Sequence, residues 1–422
     1  MKRYLQPCYL ALAMLGMSSL PSLAENDHYC RAPASTKDHA APMNYPDQFA
    51  WQLFLEVNQK AKKEYATLNG KKVELNNAVW ETWIDDSENF PQHPNPANPP
   101  VWPTKADGHN LAYTSFSHQT YSNDKTSSEP DCNPDDLKNG GTCEVVYRNK
   151  ATFEYIKNNN LWYQEGIADY VKTGKEIVFP IDSIEVKGNW KLIKENEKKD
   201  YHWNYTTKGQ LIGLVAMHIS SKAIPNWLWA TFEHVDNPGR CDLLGCYDCY
   251  GVTNPVTQPN AKTFGSVYPE EPLSSALLKQ YDKSGFNGTW LKEWKNYRLK
   301  GSMINFTDSY GNASLLGNSV TESGFVATSS CMGCHSRAAV TSAGQKAFPF
   351  FGELPSTAAI GNIPAEYGLQ FLTANGAPNP ADFYHRAGNL NNNNPYGTLQ
   401  FLQTDFVWAI PMRAKSINQT TP

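Results

Sequence analysis

The chain has 422 residues, a formal charge of −4 and no basic tract, so it lacks the electrostatic footprint of a nucleic-acid-binding protein. Its mean hydropathy is −0.54, yet 12% of its residues are aromatic, too many for a disordered chain. After the first two dozen residues no segment approaches the ~18 consecutive apolar residues of a membrane-spanning helix, so no integral membrane segment is expected beyond them.

The N-terminus reads as a secretory signal peptide over residues 1–24. Lys2 and Arg3 supply the positive region, YLALAMLGMSSL (residues 9–20) the short apolar run, and Ser22-Leu23-Ala24 the small-residue cleavage site. Cys8 precedes the apolar run, the wrong side for a lipid-anchor cysteine. Cleavage takes the formal charge from −4 to −6 and places the expected mature protein in the periplasm.

Residues 46–66 carry Phe49, Leu53, Phe54, Val57 and Ala61 at helical spacing. VWETWI (79–84) is short and aromatic, either a strand or a buried turn of helix. Residues 86–104 hold too many prolines for regular structure, and 119–143 form a polar loop. Four stretches rich in β-branched and aromatic residues follow, at 176–193, 201–207, 211–220 and 227–235. Turn signals between the last three predict an antiparallel meander. Residues 273–299 read as helix in two pieces broken at Ser284-Gly285. From 330 onward the pattern is of short helices joined by Gly, Pro and Asn loops. The expected fold is therefore α+β. A β-rich, disulfide-containing part at 25–290, with antiparallel strands, packs on a mostly helical segment at 291–422.

Eight cysteines follow the leader: Cys30, Cys132, Cys143, Cys241, Cys246, Cys249, Cys331 and Cys334. In an exported protein an even set reads first as disulfides. Cys132 and Cys143 bracket a Pro/Asp/Gly-rich loop and are plausible partners. The three cysteines of CDLLGCYDC cannot all pair with one another, so one is expected to reach Cys30.

Cys331 and Cys334 stand apart because they open CMGCH. Two thiols on one helical turn can each add to a vinyl group of haem, and His335 then lies under the porphyrin to ligate iron. Such attachment follows export, in agreement with the leader. Three other readings compete. A structural zinc site needs four ligands, of which Cys246 and Cys249 could supply two. A thioredoxin-type redox pair belongs after a strand, but TSSCMGCHSRAAVTSAGQ does not open on one. A plain disulfide loop is the third. The cofactor expected is one covalent haem c.

The stretch NYRLKGSMINFTDSYGNASLLGNSVTESGFVATSSCMGCHSRA (296–338), with DFVWAIPMRA (405–414), resembles large exported bacterial proteins of the single-haem cytochrome c family. The resemblance implies haem binding and electron transfer with a redox partner protein or small molecule; it implies no substrate. Small cytochromes c are near 100 residues, and here some 300 precede the motif.

Met412, in IPMRA after the histidine, is the expected sixth iron ligand, since methionine near the C-terminus fills that role in small cytochromes. Met303 and His385 are alternatives, as are His218 and His234, which alternation places on apolar strand faces. An open sixth position is a further alternative. Trp80, Trp83, Trp102, Trp227 and Trp229 could line a sugar-binding face or a haem pocket, with core packing the plainer reading. Glu233 and His234, adjacent on a strand, should point to opposite faces. The leading function is electron transfer. The alternatives are a haem enzyme, a peroxidase or small-molecule oxidase with an open iron site, and a ligand-binding or sensing protein in which haem is structural.

Overall fold

The computed structural model describes residues 41–104, 141–259, 265–308, 311–323, 325–347 and 398–418, with short pieces at 30, 109, 112–113, 137, 377–378 and 383–385. The leader expected at 1–24 and Cys132 lie outside these residues.

Helix α1 (Pro46–Val57) starts on a proline, which suits the first helical turn, and buries Trp51, Leu53, Phe54 and Val57. It stops before the expected end at 66. The Ala61 N–H pairs with the Asn77 carbonyl instead of a helical one, and the hairpin β1 (Glu64–Leu68) and β2 (Lys71–Leu75) takes over. VWETWI combines both expected forms, a 3-10 turn at Val79–Thr82 followed by β3 (Ile84–Asp85).

The centre of the molecule is one antiparallel sheet. After β3 it takes β4 (Ala112–Tyr113), β5 (Cys143–Arg148), β6 (Ile184–Leu192), β7 (Trp203–Tyr205), β8 (Leu211–Ser221) and β9 (Leu228–His234). A small pair, β10 (Cys246–Tyr247) and β11 (Val256–Thr257), intervenes before the last strand of the sheet, β12 (Tyr297–Met303). The order is β12-β9-β8-β6-β5-β3, with β4 on β5 and β7 on β8. The predicted meander is present as β7, β8 and β9. Between strands lie α2 (Asp86–Asn89), α3 (Lys150–Asn158) and α4 (Gln164–Lys172). The helix predicted over 273–299 is broken where expected, into α5 (Ser275–Lys283) and α6 (Gly288–Trp294). Its last residues form β12, on the C-terminal side of the division expected at 290/291.

Alternation gives the sheet two different faces. On one, Val186, Met217, Ile219, Leu228, Ala230, Phe232 and Leu299 join Trp51 and Phe54 of α1 and Trp290 and Trp294 of α6 in the main core. The Phe54 and Phe232 rings lie 4.5 Å apart. The other face is polar. Its rows, read from the register, are Glu144–Asn189–Ala216–Glu233, Val146–Lys187–His218–Thr231 and Arg148–Glu185–Ser220–Trp229–Met303. A polar sheet face normally meets water. Here it is covered by the segments 304–347 and 398–418, so its charges are paired inside. Arg148 meets Asp86 and Glu185, Lys187 meets Glu144, and Lys300 meets Glu233.

The covering layer holds α7 (Cys331–His335), β13 (Ala339–Thr341) between β14 (Lys346–Ala347) and β17 (Phe401–Gln403), the pair β15 (Tyr384–His385) and β16 (Thr398–Leu399), and α8 (Ala409–Arg413). The molecule is α+β, with its β-rich part N-terminal and central. Beyond 291 the described helices are short and more residues lie in strands. The Gly, Pro and Asn punctuation there separates strand pairs as readily as helices.

Candidate functional site

The CMGCH segment forms α7, a single turn. Ser330 caps it, its Oγ accepting from the Gly333 N–H at 3.1 Å. Met303, from the sheet edge, lies beneath, its sulfur 3.4 Å from the Met332 nitrogen and 3.8 Å from Ser330 Oγ. Cys331 and Cys334 are free thiols. The other described cysteines are in disulfides. Cys30 pairs with Cys249, as the CDLLGCYDC argument anticipated, and Cys241 with Cys246. Cys143 is also disulfide-bonded, its partner lying outside the described residues. These bridges occupy Cys246 and Cys249, which removes the second half of a zinc site. Cys331 and Cys334 keep part of their surface open while protein surrounds the rest. That burial pushes the Cys334 thiol up to about 11 and the Cys331 thiol well above its usual range, so neither has the thiolate character of a redox cysteine.

His335 ends the turn. Its Nδ1 donates to the Phe406 carbonyl at 2.8 Å, and its ring sits 4.4 Å from that of Trp229. Burial pushes the imidazole down to about 4, the Phe406 hydrogen bond offsetting part of the effect. At neutral pH the ring is uncharged with its proton on Nδ1, so Nε2 carries a lone pair. Among the described residues Nε2 has no hydrogen-bond partner. A histidine whose Nδ1–H is tied to a carbonyl is oriented to ligate metal through Nε2.

The carbonyl that receives His335 belongs to an unusual turn. Thr404 to Val407 closes with Val407 N to Thr404 O at 3.0 Å. The two central residues, Asp405 and Phe406, have φ of +48° and +70°. A turn with two positive φ values ordinarily carries Asn-Gly or Asp-Gly. Each non-glycine residue held there costs about 1–2 kcal/mol. Phe406 offsets this by packing against Trp229 and Phe306, and Asp405 by bonds to Lys222 Nζ at 2.6 Å and the Phe179 N–H at 2.8 Å. Trp408, next along the chain, donates its indole N–H to the Cys334 carbonyl at 3.2 Å. The C-terminal segment therefore returns to CMGCH, as the sequence suggested, and touches it through Phe406 and Trp408.

His218 is not on the apolar face that simple alternation gave it. Val215 is extra in the pairing with β6, since Asn189 faces Ala216 and Trp190 faces Leu214. That bulge turns His218 away from Ile212 and Leu214. It stands instead between Lys187 and Thr231 on the polar face, diagonal to Trp229. Asn318 Oδ1 accepts from the Val320 and Thr321 N–H groups, which fixes the amide, so Nδ2 donates to His218 Nε2 at 2.7 Å. Nε2 also lies 3.5 Å from Glu322 Oε2, and Nδ1 has no partner among the described residues. Along Ile212–Ser221, His218 is the one residue not buried.

The remaining candidates are dispersed. Met412 is half-buried on α8. Met303 serves as the floor of α7. His234 lies on the apolar face as predicted, its Nε2 2.9 Å from the Asp200 carbonyl and its ring stacked on Tyr201 at 4.0 Å. For His385 only the backbone position in β15 is described. Of the tryptophans, Trp229 reaches His335 and Trp227 lies 6.3 Å from Trp229, whereas Trp80 packs on Trp190 in the opposite layer, so they form no single face. Glu233 and His234 do point apart. Glu233 accepts from the Ser319 N–H at 2.8 Å. Asn318, Phe406, Asp405 and Lys222 carry no individual signal in the sequence, although Asn318 lies in the 296–338 stretch and Asp405 and Phe406 in DFVWAIPMRA.

Among the described residues no set of three His, Cys, Asp or Glu side chains could hold a metal ion. A haem asks less of the protein, one or two axial ligands and two thiols, and α7 presents one free imidazole nitrogen and two unbonded thiols within five residues. No family model, no curated protein and no solved structure matches the chain.

Proposed function

We propose that this protein is an exported, periplasmic c-type cytochrome whose work is electron transfer. One haem is joined by thioether bonds to Cys331 and Cys334 and ligated by His335 Nε2. The observation that carries this reading is the state of α7. Its two thiols are unbonded in a chain whose other described cysteines are oxidised, and its histidine is held by Nδ1 with Nε2 free. When bound, the haem would supply an iron that cycles between ferric and ferrous states. The chain's part is to hold the ring: Phe406 orients His335, Trp229 packs on it, and the covering layer limits water. Met412 is the thioether that the C-terminal segment offers as sixth ligand.

A second reading, a haem enzyme with an open sixth position, is favoured by His218. Its ring, paired with Glu322 at 3.5 Å through Nε2 and placed at the open point of a buried face diagonal to Trp229, is suited to moving a proton to or from a small molecule that would bind there.

The test is export in a host that attaches haem c, followed by intact mass and spectra. The expected product is red, one haem heavier than the peptide, and colourless when Cys331 and Cys334 are both alanine. A carrier should ignore carbon monoxide when reduced and lose its low-spin spectrum in Met412→Ala. An open-site enzyme should bind carbon monoxide and be unaffected by Met412→Ala. Colourless wild-type protein would sink both readings.

A further inference from the structure

Two backbone segments with positive φ meet beside His335, and one ion pair joins them. The first is the Asp405-Phe406 turn. The second is the Ser221–Leu228 connection, where Trp227 has φ +59° and its N–H bonds to the Ile224 carbonyl at 3.0 Å. Lys222 reaches both. Its Nζ donates to the Pro225 carbonyl at 2.7 Å and to Asp405 Oδ1 at 2.6 Å. The two side chains are each only 8% exposed, so water screens the pair little. The other carboxylate oxygen of Asp405 accepts from the Phe179 N–H at 2.8 Å. Asp405 is thus held on its two oxygens by two segments, Lys222 at a sequence separation of 183 and Phe179 at 226, and the next carbonyl in the chain is the one that receives His335 Nδ1–H. Surface stability does not call for this arrangement: an Asn-Gly turn would form without the strain. Strained backbone of this kind persists where the surroundings over-determine it, and it gathers at functional sites.

We infer that Lys222 and Asp405 are positioning residues for the proximal histidine of the haem proposed above. Their ion pair locks the Thr404–Val407 turn in the conformation that aims the Phe406 carbonyl at His335 Nδ1. The hydrogen bond then sets the plane of the imidazole and strengthens its donation through Nε2. With the lock released, the turn relaxes, the bond lengthens or is lost, and the ring becomes a weaker and less uniformly oriented donor. A weaker donor stabilises ferric iron less, so the reduction potential rises.

The inference rests on the haem reading, and the experiment separates the two. Holo-protein is prepared as wild type, Asp405→Asn, Lys222→Gln and Lys222→Arg. Asn tolerates positive φ but removes the charge and exchanges one of the two acceptor oxygens for a donor NH2, so it releases the Lys222 or the Phe179 contact as well; Gln and Arg probe the same lock from the other side. Intact mass first establishes one covalent haem in each. Potentiometric titration and low-temperature electron paramagnetic resonance follow. The expected result is an upward shift of potential in Asp405→Asn and Lys222→Gln, with the low-spin signal broadened or split, and near wild-type behaviour in Lys222→Arg. Haem-bearing variants that melt at lower temperature but keep the wild-type potential and signal would overturn the positioning role and leave the haem reading standing. If one variant fails to fold, the other two still decide. Wild-type protein without haem would remove the basis of both.

Discussion

Glu81 shows what a single buried carboxylate does in the layer opposite the CMGCH segment. His109 Nε2 and His202 Nε2 each lie 2.6 Å from it, and Asn204 Nδ2 donates at 2.8 Å. Burial alone would raise the carboxyl; the charge of His202 and the two histidine hydrogen bonds outweigh it and bring Glu81 to about 2. Burial would lower His202; the charge of Glu81 and the hydrogen bonds the ring donates to Glu293 and Glu81 outweigh it and bring that ring to about 9. Glu81's stabilisation is complete above its ordinary value of 4.5 and fades as pH falls through about 2. That of His202 is complete below 6.5 and fades as pH rises through about 9. Urea unfolding should therefore show this cluster contributing fully between those two ordinary values. Glu81→Gln should cost about 3–5 kcal/mol at pH 5.5, because it strands a buried imidazolium. It should also flatten the loss of stability toward pH 9. Equal alkaline slopes in mutant and wild type would show that the histidine is not charged in the fold.

At the scale of elements, α7 depends on its cap because a five-residue helix has little propensity of its own. Ser330→Ala removes the acceptor for the Gly333 N–H, with an expected loss of about 0.5–2 kcal/mol in thermal or denaturant unfolding and a lower yield of haem-bearing protein. What could be read in advance was local. The spacing of Phe49, Leu53, Phe54 and Val57 announced α1, and the turn residues announced the β7–β9 meander. Apart from the cysteine count that sent one thiol of CDLLGCYDC to Cys30, long-range geometry could not be read. A period of two cannot reveal that Val215 is extra, so His218 was placed with Leu214. YRLKGSM (297–303) continued a helical stretch on paper, because Arg298 and Lys300 are polar only until Glu270, Glu271 and Glu233 arrive from elsewhere. The turn that orients His335 ran against the usual code, with Phe406 where glycine is the norm.

For the whole molecule, the Cys30–Cys249 bridge spans 219 residues of sequence and ties the segment before α1 to the β10–β11 region. The longer the loop closed, the more the unfolded chain is restricted. Replacing both cysteines by serine should lower stability by about 2–5 kcal/mol in urea unfolding under oxidising conditions. Reductant should produce a larger drop in the wild type than in the variant, which keeps the Cys241–Cys246 bridge, with a separation of 5, and the bridge at Cys143.

Strand β12 carries a further consequence for anyone wishing to move the CMGCH segment elsewhere. The seven residues that finish the sheet also end in Met303, the floor on which CMGCH stands. A graft of 291–422 onto another scaffold would strip the donor of its last strand and bare Phe232 and Ala230 along a raw sheet edge. A graft beginning after 303 would arrive without its floor. The two parts share one seam, and neither is a transplantable module.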